Sequence, residues 1–259
     1  MLSLFELSFY FAYFFLAGST ALTAFEVFNT FPSKYEPLKY ILAIETTVNI
    51  IASVAYSSLI TLVKQQNFSN ITSYRYLDWF ATTPLLLISL TLYLQYKKSI
   101  NTNTAPNAPT TIPTTIPTTI PTTIPTTIPT TTQNIIQNAQ VKFEYDRLAI
   151  IVGLNVLMLI FGYLGETGRI NHILACVLGF IPFIVMFYLI WEWYGDSIKN
   201  KKIFIIFIVV WALYGVVYFL PNTQKNISYN ILDVIAKVGF GLLIWFEVVQ
   251  LRLTDEIDK

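Results

Sequence analysis

Charge is scarce in this chain. Only 12% of the 259 residues are Asp, Glu, Lys or Arg, about half the share of a soluble domain. The formal net charge is +1, and no basic patch offers a surface for nucleic acid. There is one cysteine, Cys176, so an intramolecular disulfide and a cysteine metal cluster are both excluded. Cys176 lies in an apolar run and reads as a small core residue. There is one histidine, His172, which reads as a solvated residue at a short turn, and no metal site is expected. The N-terminus lacks the basic stretch of a secretory signal, so MLSLFELSFYFAYFFLAG reads as a first membrane span.

Apolar length is abundant. Seven segments reach the roughly 20 residues needed to cross a bilayer as a helix, at about 5–30, 38–64, 73–96, 145–165, 170–194, 202–221 and 228–251. Hydrocarbon offers backbone groups no other partner, so each must be helical. The expected fold class is an all-α membrane protein, a bundle of seven transmembrane helices. Residues 1–100 hold three helices and 141–259 hold four with a short tail. Residues 101–140 are polar, and Thr-Thr-Ile-Pro repeats across 110–132. Proline every fourth residue blocks helix and sheet ladder alike, so this reads as an extended insertion. Its plainest account is a repeat expansion tolerated in a loop. With the N-terminus outside, eleven Lys and Arg residues face inward and three (Lys64, Arg169, Lys225) face outward. That bias sets the N-terminus outside and the C-terminus in the cytoplasm. Three Asn-x-Ser/Thr triplets, at Asn67, Asn70 and Asn226, fall near the outer turns.

Ionisable residues at membrane depth are costly, and they mark function by default. The third span carries Arg75, Asp78 and Thr82 on one face, and the seventh carries Asp233 and Lys237 four residues apart. Two cations and two anions balance if these faces meet. One account is a structural ion network. The other is a reactive lysine in an apolar pocket, poised to form a Schiff base with nearby carboxylates as counterions.

The seventh span reads Asp-x-x-x-Lys-Val-Gly-Phe-Gly and the third reads Arg-Tyr-x-Asp-Trp-x-x-Thr-Thr-Pro-Leu-Leu-Leu. These resemble the retinal-attachment and counterion helices of microbial rhodopsins, and the likeness covers all seven spans, leaving out only 101–140. The resemblance implies one retinal-binding domain, a light-driven ion transporter rather than an enzyme, with all-trans retinal on Lys237. Asp78 would be the primary counterion and proton acceptor, and Asp233 the second counterion. Arg75 would reorient when Asp78 is protonated, and Thr82 would hydrogen-bond to Asp78. Trp211 and Trp79 would be the pocket's two walls, with Tyr214 a partner of Asp233. Tyr56, Thr83, Leu86, Met158, Gly162, Pro182 and Tyr218 would complete the pocket. Leu86 stands where green-absorbing members carry leucine, so absorption in the green is expected.

The chain departs from the pump pattern at Ser89, eleven residues beyond Asp78, about 16 Å along a helix. Family pumps usually carry a carboxylic acid there to reload the Schiff base, which serine cannot do. The Asp78-Thr82-Ser89 code, with Glu45 and Asn49 on the second span, resembles rhodopsins of giant viruses of algae and protists. Glu45 is either a carboxylate bonded to a neighbour near the interface, or a substitute proton donor lining an inner ion path. The lead expectation is an outward proton pump, and the alternative is a light-gated cation channel. A photosensor would need a transducer or effector domain, and none is expected after the seventh span. Expected partners are the lipid bilayer, protons or monovalent cations, and further copies of the chain. Asn155 stands where archaeal pumps carry an acid, Gly215 where proline is usual, and the 221–226 loop lacks the glutamates of a proton-release group.

Overall fold

A computed structural model describes residues 2–29, 35–66, 71–103, 143–195 and 201–257. The Thr-Thr-Ile-Pro repeat, Asn67 and Asn70 lie outside the described residues. Among those described there are seven helical rods and no strand. The first six are α1 (Leu4–Phe28), α2 (Glu36–Lys64), α3 (Ile71–Asn103), α4 (Tyr145–Glu166), α5 (His172–Tyr194) and α6 (Lys201–Val217). The seventh, α7, covers 222–257. It is α-helical over Asn222–Asp233, π-helical over Val234–Gly239 and α-helical again over Phe240–Ile257.

Local sequence fixes several helix ends. Ser3 and Glu6 form a reciprocal capping box at the start of α1, with Ser3 N donating to Glu6 Oε2 at 2.7 Å. Pro37 sits in the first turn of α2, where its missing N–H costs nothing. Asn171 Oδ1 accepts from Ile173 N at 2.8 Å and caps α5. The α4–α5 turn passes through Gly168 at φ +70°, a conformation glycine adopts without strain. His172 is the first residue of α5 and is exposed, as expected.

Five rods are long and apolar enough to cross a membrane. The apolar run of α6, Lys202–Val217, is shorter. α7 switches from α to π winding and back within its length. α3 runs past its expected end at 96, because the polar turn there finds partners: Lys97 pairs with Glu247 on α7. α7 starts earlier than expected, so the 221–226 loop is its first turn. Asn226 is fully buried there, which rules out glycosylation at that triplet.

The outward faces are apolar. On α5, Ile173, Val177, Ile181, Ile184 and Tyr188 are all more than half exposed, a stripe suited to lipid. The inward faces carry the polar residues, among them Glu45, Asn49, Arg75, Asp78, Asn155, Asp233 and Lys237. Successive helices pack side by side, and α7 closes the ring against α1, α2 and α6. This inside-out distribution brings the third and seventh helices' charged faces together.

Candidate functional site

Lys237 lies within the π turn of α7 and is buried. π turns inside helices are frequent at functional sites. Its ammonium contacts Asp78 Oδ2 and lies 3.8 Å from Asp233 Oδ1. The two carboxylates differ in their remaining partners. Asp233 accepts from Tyr214 at 2.8 Å and Trp79 Nε1 at 3.2 Å on Oδ1, and from Tyr56 at 2.7 Å and Arg75 Nη1 at 3.4 Å on Oδ2. Among the described residues, none donates a hydrogen bond to Asp78 Oδ1. Thr82 donates to the Asp78 main-chain carbonyl at 2.8 Å and not to the carboxylate, as a helical threonine commonly does one turn back.

From Lys237 a cavity extends between α3, α4, α5 and α6. Trp79, Thr83, Leu86, Met158, Gly162, Trp211, Tyr214 and Tyr218 line it, all residues expected from the sequence. Two expected pocket residues are elsewhere. Tyr56 is drawn to the far side of Asp233 by its hydroxyl. Pro182 is buried in α5 beside the wall, and the cavity is faced by its neighbours Gly179, Phe180 and Phe183. Tyr76, Leu159, Ala175, Cys176 and Tyr229 also line it and were not foreseen. Cys176 is therefore a half-buried cavity residue, not a core residue. A Cβ on Gly162 would lie 2.7 Å from the Tyr76 hydroxyl, so this wall is tight because the residue is glycine.

The cavity is apolar and aromatic, with one primary amine, Lys237, beside two carboxylates. That donor set suits an apolar aldehyde held as a cationic Schiff base. Among the described residues, no group of His, Cys, Asp and Glu could hold a metal ion.

A model of the bacteriorhodopsin-like protein family matches residues 5–116 and 122–251. The chain belongs to this family. It is a microbial rhodopsin, an integral multi-pass membrane protein, and members of the family bind retinal as chromophore. The crystal structure of the viral rhodopsin OLPVRII is 28% identical, with a TM-score of 0.75, covering 96% of this chain and 99% of that one. The green-light absorbing proteorhodopsin of Gamma-proteobacterium EBAC31A08 is 31% identical over 114 residues. That match spans 37% of this chain and 46% of the relative, under half its length. Xanthorhodopsin, a light-driven ion pump with dual chromophore, shares the fold at a TM-score of 0.64 and 20% identity, covering 98% of this chain and 95% of that one.

Toward the N-terminal end of the bundle lies a network the sequence reading missed. Asn222, Asn226 and Asn230 stand four residues apart on α7, and that spacing was the available signal. Asn226 Oδ1 accepts from Arg75 Nε at 2.9 Å, and its Nδ2 donates to Thr72 Oγ1 at 3.1 Å. Asn230 Oδ1 contacts Arg75 Nη2, and its Nδ2 donates to Ser8 Oγ at 2.7 Å. Toward the opposite end, Glu45 and Asn49 both face Gly241. Glu45 is fully buried, with its carboxyl beside the Ser89 hydroxyl. A Cβ on Gly241 would lie 3.1 Å from Asn49 Nδ2 and 3.8 Å from Glu45 Oε2, so this glycine lets α7 approach the polar pair.

Proposed function

We propose that the protein is a light-driven outward proton pump with all-trans retinal on Lys237. The observation that carries this reading is the asymmetry of the two carboxylates. Asp233 is filled by four donors, whereas Asp78 touches the Lys237 nitrogen with one oxygen and, among the described residues, has no donor on the other. Asp78 is thus within reach of the proton and has capacity to take it. Retinal held by Lys237 would supply visible absorption and the light-driven change that moves the proton.

The chain's residues then do the following. Asp78 takes the proton from Lys237 Nζ. Asp233, fixed by Tyr56, Tyr214 and Trp79, stays as the balancing anion. The proton leaves past Arg75 toward the N-terminal end, which the Lys and Arg bias assigns to the outside. On the inner side Ser89 cannot donate a proton from an acid group. Glu45, the buried carboxyl beside it, takes over the reload. Leu86 on the cavity wall supports absorption in the green.

The amide of Asn49 and the carboxyl of Glu45, both fully buried and facing Gly241, also favour a second reading, a light-gated cation channel. The two readings part on voltage. A pump works against the field, roughly 2.3 kcal/mol per charge at 100 mV, and a channel does not. Photocurrent in retinal-supplied cells should stay outward at every voltage, ignore sodium and potassium, and vanish in Asp78→Asn. A reversal potential that follows the cation gradient would select the channel. Full transport in Asp78→Asn would refute the acceptor.

A further inference from the structure

Arg75 is fully enclosed, and what encloses it is specific for a cation. Five oxygens face its guanidinium: Asn226 Oδ1 at 2.9 Å, the Asn226 carbonyl at 3.4 Å, Tyr56 Oη at 3.0 Å, Asp233 Oδ2 at 3.4 Å, and Asn230 Oδ1. Around them stand ring faces. The guanidinium carbon is 5.1 Å from the centre of Phe9, 5.4 Å from Tyr56 and 5.9 Å from Tyr229, all within cation–π range. Asn226 and Asn230 are aimed by their amide nitrogens, which donate to Thr72 and Ser8. Their oxygens are therefore directed at the cation site by bonds that do not involve Arg75.

The charge balance gives this cage a consequence. Arg75 and Lys237 offset Asp78 and Asp233 in a buried, low-dielectric region. Withdrawing the guanidinium would leave an excess negative charge, which is strongly unfavourable there. The oxygens left behind are mostly neutral carbonyls and a phenol, the type of ligand that replaces the hydration shell of an alkali ion in selective pores. A divalent ion asks for more anionic oxygen than one carboxylate provides.

We propose that this cage is a monovalent-cation site in which Arg75 is the resident cation, and that sodium or potassium takes its place when the guanidinium is withdrawn. Its part in transport rests on the proposed light-driven reading, but the site itself is testable in darkness and without retinal, so either can fail alone. The bound ion would sit on the exit route. A pump would thus keep Arg75 in place to exclude cations, and a channel would use the same cage as its outer filter.

The test is thermal unfolding of retinal-free Arg75→Ala in detergent, in sodium chloride and in N-methyl-D-glucamine chloride at equal ionic strength. With sodium about tenfold above its dissociation constant, the midpoint should be about 3–5 °C higher than with the bulky cation. Wild-type protein should show no such difference, and adding Asn230→Ala should remove it. If Arg75→Ala does not fold in either salt, Arg75→Gln carries the same comparison. Equal midpoints in the two salts would overturn the proposal. So would a sodium effect that survives Asn230→Ala, since the ion would then bind elsewhere.

Discussion

Lys225 and Glu166 tie α7 to the end of α4, and breaking that tie should be costly. Lys225 Nζ lies 3.0 Å from both Glu166 oxygens, and the side chains are only 7% and 11% exposed. The ammonium also sits 5.8 Å above the Tyr218 ring, a wall of the cavity. Lys225→Met keeps the stem and removes the charge, leaving Glu166 buried without its donor. Removing one partner of a buried pair costs about 3–5 kcal/mol, and residual exposure places this pair at the lower end, about 3 kcal/mol. For a chain of this size that lowers the unfolding midpoint by about 6–12 °C. The assay is far-UV circular dichroism on heating in detergent micelles. Glu166→Gln on top of Lys225→Met should recover more than half of the loss, because the stranded charge is gone. A single Lys225→Met variant within about 1 kcal/mol of wild type would refute the reasoning. It would mean that water screens the pair as it does at an open surface.

Lys237→Ala should give a protein with no visible band after incubation with retinal; a band of normal intensity would place the attachment elsewhere. Glu45→Gln should slow the reload and make the light-driven turnover rate depend steeply on cytoplasmic pH, seen as slower recovery of absorbance after a flash; unchanged recovery would remove Glu45 from the path. Gly162→Ala should press a methyl group against the Tyr76 hydroxyl, 2.7 Å from the new Cβ, and so push that ring into the cavity. The expected result is slower pigment formation and a shifted absorption maximum, and wild-type values for both would show that Tyr76 yields without cost.

The sequence by itself determined the architecture and the chemistry. Seven long apolar runs in a charge-poor chain permit a helical bundle in a bilayer and little else, since backbone groups in hydrocarbon must bond within their own helix. Lys237, Asp233, Asp78 and Arg75 were legible because ionisable residues at membrane depth stand out against apolar neighbours, and their three- and four-residue spacings put them on common faces. Tertiary structure decided how each group is partnered. Asp78 and Asp233 look alike in sequence. Only the meeting of α2, α3, α6 and α7 fills Asp233 with four donors and, among the described residues, leaves an Asp78 oxygen without one. Tyr56 left the cavity and Tyr76, Phe183 and Cys176 entered it, because an aromatic or small residue in a transmembrane helix gives no local sign of whether it faces lipid, core or cavity. The same limit hid the amide cage around Arg75. Its asparagines are uncharged and share a helix face, but a neutral amide becomes a cation ligand only when another helix brings the cation to it.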